Sequence, residues 1–216
     1  MYPEDLYLKN PVLRSLIECT IPIAGPVFDK SLCLLMENIK AKRRVYFFDE
    51  LAKGRIQLTE DSIKSEVFLH CFFSTIDAVD RTNRKEKIAL FGKLLKSSLE
   101  YKDIVRSIDD YEEILSILDE MSYREILLLV KLYSYESNHI YDKDINELQN
   151  VLGYWDSFIS CVSTEFNISK DDINAMLIRL NRTGCYETIT GTYLNYKGGV
   201  GKLTSLFNRI IKLINE

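Results

Sequence analysis

Apolar residues recur along this chain at helical intervals, in blocks separated by capping and helix-breaking residues. Asn10-Pro11 reads as a helix start, because the amide can cap and the proline ring suits the first helical position; Pro22-Ile-Ala-Gly-Pro26 ends that helix after about Thr20. From Pro26, residues Val27, Leu34, Leu35, Ile39, Tyr46, Phe47 and Leu51 predict one long helix stopped at Gly54, with Lys40, Lys42, Arg43 and Arg44 on its wet side. Thr59, backed by Glu60 and Asp61, caps a segment whose stripe is Ile63, Val67, His70, Cys71, Ser74 and Val79. Asn83 with Glu86 resembles a capping box opening a helix that carries Ile88, Phe91, Leu95 and Leu99. Gly92 inside it costs about 1 kcal/mol against Ala.

Two further helices are expected at 109–121 and 122–135, the second introduced by the box Ser122-Tyr-Arg-Glu125. Another spans about 144–162, with Gly153 as a point of division. Ser169 with Asp172 starts a short helix bearing Ile173, Met176, Leu177 and Leu180, which Gly184 ends. The pattern then changes. Residues 185–202, rich in Tyr, Thr and Gly, suit a small β-hairpin, and a last helix from Leu203 to about Asn215 carries Leu206, Phe207, Ile210, Ile211 and Ile214. The expected fold class is mainly α. An N-terminal helical bundle (1–108) precedes a C-terminal part (109–216) in which an acidic helical pair leads into the hairpin-bearing module.

Charge sharpens this division. The net charge of −4 is distributed as +3 over 1–108, −10 over 109–168 and +3 over 169–216. An acidic block between faintly basic flanks disfavours a nucleic-acid clamp made by the whole molecule, since phosphate binding needs a coherent positive field. Cysteine usage points to a reducing, cytoplasmic setting: Cys19, Cys33, Cys71, Cys161 and Cys185 are odd in number, scattered and form no C-x-x-C pair. Glu4, Asp5, Lys9 and Arg14 interrupt the first twenty residues, which lack the basic start and apolar core of a secretory signal.

The order helix, helix, short helix, Gly, hairpin, then Leu203-Thr-Ser-Leu206 resembles the winged-helix fold over roughly 122–216, carried by Leu177, Arg179-Leu180, Gly184 and the hairpin itself. The resemblance implies that the third helix, 169–182, is the one offered to a DNA major groove, with the hairpin as wing. Lys170, Asn174, Arg179 and Arg182 would then meet DNA from the helix, and Lys197 and Lys202 from the wing. Asp171 and Asp172 at the leading end weigh against this, because phosphates lie close to that end of a reading helix. A packing module, dimer surface or partner interface is the competing reading, since fold does not imply function.

Other motifs fail on inspection. Lys197-Gly-Gly-Val-Gly-Lys202 is similar to the deviant phosphate loop of partition ATPases, yet Leu203 stands where a hydroxyl must hold magnesium. Asp142-Lys-Asp144-Ile-Asn146 mimics the opening of a calcium loop, but Glu147 and Gly153 occupy the positions that require Gly and Glu. His70 and His139 have no ligand at metal spacing, and His70-Cys71 cannot face each other on a helix, so a partly buried core histidine is expected. Asp77 and Asp80 share a helix face and read as salt-bridged surface beside Arg81, Arg84 and Lys85. Ile21–Phe28 with the Lys40–Arg44 cluster could form a membrane-surface anchor. A buried crossover is the simpler reading, because the apolar stretch is short and has no flanking Trp.

These features predict a non-catalytic binding or assembly protein without cofactor or metal, its partner another protein or a second copy. An accessory role in a bacterial regulatory or defence complex is the suggested setting. The alternatives are a winged-helix regulator that binds double-stranded DNA, and a membrane-surface effector or enzyme whose site only the fold assembles. A membrane partner is not expected.

Overall fold

The computed structural model describes residues 31–53, 64–100, 107–190 and 199–214 of the 216. Among them are eight helices, α1 (Ser31–Ala52), α2 (Glu66–Arg81), α3 (Lys85–Glu100), α4 (Ile108–Glu120), α5 (Tyr123–Asn138), α6 (Glu147–Phe166), α7 (Lys170–Asn181) and α8 (Ser205–Ile214). Strands β1 (Tyr186–Thr188) and β2 (Gly201–Leu203) pair antiparallel between α7 and α8. The protein is mainly helical with one small ribbon. The helix from Asn10-Pro11, the apolar segment Ile21–Phe28, the long helix's start at Pro26 and stop at Gly54, the Thr59 cap, Ile63 and the hairpin tip with Lys197 lie outside the described residues.

Two compact units divide the chain. The first takes in the described residues up to Asp119 together with Leu213 and Ile214; the second runs from Glu120 to Lys212. Helix α4, grouped by its charge with the C-terminal half, therefore belongs to the first unit. Packing accounts for this: Tyr111, Ile114, Leu115 and Leu118 of α4 are buried, and the Tyr111 hydroxyl lies 2.5 Å from the Thr75 hydroxyl, which donates to the Cys71 carbonyl at 2.7 Å.

An aromatic cluster sets the phase of α1 and α2. The Phe72 ring lies 6.2 Å from Phe47 and 6.1 Å from Phe48, and all three are buried. Burial of each such ring contributes roughly 2–3 kcal/mol. The buried face of α2 is thus Phe68, Cys71, Phe72, Thr75, Ile76, Ala78 and Val79. Val67 and His70, expected within the stripe, are exposed.

The wet side predicted for α1 holds at Lys42, which is exposed, and is corrected at Arg43 and Arg44. Arg44 makes a paired contact with the Asp80 carboxylate at 2.9 and 2.5 Å, with both side chains largely buried, and Arg43 donates to the Asp80 carbonyl and the Asn83 side-chain oxygen. Asn83 is therefore engaged across the bundle, and α3 begins only at Lys85. These three acceptor groups outweighed the solvation of two arginines, a long-range pairing invisible to helical periodicity. Gly92 earns its place through close approach: a Cβ there would stand 3.1 Å from Glu50 Cγ and 3.8 Å from the Phe47 ring. Ser97 and Lys93 of α3 donate to the carbonyls of Leu213 and Ile214 at 2.8 and 3.1 Å, satisfying acceptors that a helix end leaves open.

The second unit is punctuated by three reciprocal capping boxes. Ser122 with Glu125 opens α5, Asn146 with Gln149 opens α6, and Ser169 with Asp172 opens α7. The first and third were legible in the sequence. The second moves the start of α6 from Asp144 to Glu147. Gly153 does not divide α6; the His139 ring sits against it, 3.2 Å from where a Cβ would be. That ring belongs to an aromatic row running Tyr141, His139, Tyr154, Tyr135, Phe158, Trp155, with centroid separations between 5.1 and 6.4 Å.

After α7, Gly184 takes φ +72°, the left-handed turn anticipated for it. The ribbon pairs Tyr186 with Leu203, Glu187 with Lys202 and Thr188 with Gly201. Leu203 is thus strand rather than helix. Thr204 donates its N–H to Cys185 and its hydroxyl to Gly184, joining the end of β2 to the start of β1 before α8 begins at Ser205.

Candidate binding interface

Helix α7 buries Ile173, Leu177 and Leu180, which leaves its opposite side to solvent. Lys170, Asn174, Arg179 and Arg182, the side chains expected to meet DNA, are all exposed. They are not equally available. Arg179 Nε donates to Glu125 Oε1 at 2.7 Å, and Glu125 is buried at the first turn of α5. The Glu125 carboxylate also accepts from the Ser122 N–H at 2.7 Å. Burial opposes its ionisation, but the Ser122 bonds and Arg179 overcome that and hold its pKa below the usual value.

The ribbon lysine is likewise committed. Lys202 Nζ lies 2.5 Å from Glu147 Oε1, at the first turn of α6, and 3.1 Å from Glu187 Oε1 across the ribbon. Both carboxylates raise the lysine's pKa, the Glu147 hydrogen bond foremost. Next to them Glu136 accepts the Leu203 N–H at 2.9 Å and the Tyr154 hydroxyl at 3.4 Å. Burial raises the Glu136 pKa and these bonds only partly offset it. Lys197 lies outside the described residues.

Two of the expected cations are therefore bound by carboxylates of the same unit, while Lys170, Asn174 and Arg182 project from a helix whose leading end carries exposed Asp171 and Asp172. Asp172 is engaged by Ser169 in the capping box. Ile178, three residues from Ala175 on the open face, is 71% exposed. Its exposure was readable from the sequence, because it falls out of phase with the buried set at 173, 177 and 180.

The remaining candidates separate cleanly. Asp142 accepts the Asp144 N–H at 2.9 Å, Asn146 caps α6 and Glu147 holds Lys202, so the calcium-like run is spent on loop and helix structure. His70 is an exposed surface residue rather than a core one, its Nε2 2.6 Å from Glu112 Oε1. The neighbouring Cys71 is buried, and burial pushes its thiol up to about 11, so it is no ready nucleophile. Asp80 pairs with Arg44. Asp77 instead lines a groove of about 300 Å³ between α2 and α4, together with Ser74, Glu112 and Ser116. Among the described residues no group of three or more His, Cys, Asp or Glu side chains is placed to hold a metal ion, and no helix is long and apolar enough to cross a membrane.

No family model matches the chain, and no curated protein or solved structure matches it either.

Proposed function

We propose that the chain is a non-catalytic binding and assembly protein whose second unit, built in winged-helix-like order, uses the open face of α7 to dock protein rather than to read DNA. One observation carries this reading: Arg179 is tied to Glu125 and Lys202 to Glu147 and Glu187, so these two cations of the helix and ribbon are already neutralised within the unit. Phosphate contacts demand cations that exchange counterions for DNA, and a cation held by a carboxylate must first break that pair. An apolar side chain as exposed as Ile178, flanked by polar groups, is the kind of anchor a protein interface buries. The free thiols of Cys71, Cys161 and Cys185 support a reducing, cytoplasmic home, and the setting in this reading is an accessory role in a bacterial regulatory or defence complex.

The test is a fluorescence titration of labelled duplex DNA with the full chain at low and moderate salt. The expected result is no saturable binding. Binding that falls steeply with salt and is lost in Lys170→Ala with Arg182→Ala would replace this reading with the regulator, which the exposure of Lys170, Asn174 and Arg182 on one helix favours.

A further inference from the structure

The open face of α7 has a symmetry of its own. Asp171, Ala175, Ile178 and Arg182 are spaced i, i+4, i+7, i+11, and at 100° per residue they fall within an arc of about 60°. All four are exposed, and Arg182, though the cap residue, keeps helical angles of φ −65° and ψ −22°, so it continues the same phase. The buried set Ile173, Leu177 and Leu180 lies diametrically opposite. Among the described residues, Ile178 therefore stands on the side away from the unit's buried set.

The order along this seam is acid, small apolar, large apolar, base. Asp171 and Arg182 are centred on the point between Met176 and Leu177, and so are Ala175 and Ile178. Rotating the helix by half a turn about that point therefore lays Asp171 opposite the partner's Arg182 and Ile178 opposite the partner's Ala175. Each contact then occurs twice. A large side chain meets a small one, unlike charges meet at both ends, and the two helix dipoles run antiparallel. A parallel arrangement would set acid against acid and base against base.

From this self-complementarity we infer that α7 is a homodimer surface, on which a second copy of the chain seats its own α7 antiparallel about a twofold axis passing between Met176 and Leu177. It rests on the protein-docking reading of α7 and names the partner. Closed pairing of one patch with itself is the usual form of a two-copy assembly, and the seam has the interval of a short coiled coil. Twelve residues span only about 18 Å, so α7 by itself covers less than the roughly 800 Å² per partner of a standard interface, and the dimer is concentration-dependent.

Sedimentation of the full chain over a range of concentrations tests this. The wild type should show a monomer–dimer equilibrium. Asp171→Arg and Arg182→Asp should each weaken it roughly tenfold, because each places like charges face to face twice. Their combination should restore it. Ile178→Asp should abolish it. All four positions are solvent-exposed, and circular dichroism checks that each variant keeps its helix. As an independent measurement, an oxidised mixture of Ala175→Cys chains and Ile178→Cys chains should link position 175 of one copy to position 178 of the other, mapped by peptide mass spectrometry. A wild type that stays monomeric, a double variant no better than the single ones, or links between like positions would overturn the proposal. Duplex DNA added to the same samples separates the two readings: a monomer that ignores DNA removes self-pairing and leaves protein docking standing, whereas a monomer that binds DNA removes both.

Discussion

Glu125 ties the start of α5 to the far end of α7: one carboxylate oxygen receives the Ser122 N–H and the other receives Arg179 Nε, each at 2.7 Å. The same side chain completes a helix cap and removes a cation from the face where a DNA reader would need it.

This double duty makes the two partners unequal. Glu125→Ala should destabilise the protein by about 1–2 kcal/mol, since it opens the cap and removes the acceptor of two part-buried hydrogen bonds at once. Arg179→Ala should cost about 1 kcal/mol or less, because half of that side chain is in solvent. Urea unfolding of the two variants checks the order; equal losses would mean that the cap matters little.

The carboxylates also set opposite pH responses. Glu125 ionises more readily folded than unfolded, so its stabilisation is present above the ordinary value of 4.5 and is lost as pH falls through its lower folded value. Glu136 is the reverse: burial raises its pKa, the folded state holds the proton longer, and stability falls as pH rises from 4.5 through the raised value. Glu136→Gln keeps an acceptor for the Leu203 N–H and should flatten the second slope alone. Stability measured by urea across the acid range in both backgrounds reads this directly.

Gly201 faces Tyr186, and a Cβ there would overlap both the Tyr186 ring and the Glu187 carbonyl. Tyr186 is buried and its backbone is fixed by pairing with Leu203, so neither obstacle can swing aside. Gly201→Ala should therefore cost about 1–3 kcal/mol, through overpacking rather than backbone strain. Gly153→Ala should be milder, because the His139 ring can give way. Thermal melts of the two variants distinguish a rigid contact from a yielding one.

Much of the local chemistry was expressed in the sequence. The boxes Ser122–Glu125 and Ser169–Asp172, the left-handed Gly184 and the shift to a Tyr, Thr and Gly pattern after it each depend on residues a few positions apart, and so did the mainly helical class with its small ribbon. The remaining features involve partners distant along the chain. The phase of α2 followed from rings on α1, the burial of Arg44 from Asp80, the membership of α4 from Tyr111 and Thr75, and the neutralisation of Arg179 and Lys202 from Glu125, Glu147 and Glu187. Helical periodicity records which side of a helix is apolar but not which neighbour covers it. Charge depends still more on that neighbour, since an arginine reads alike whether it meets water, a phosphate or a buried carboxylate.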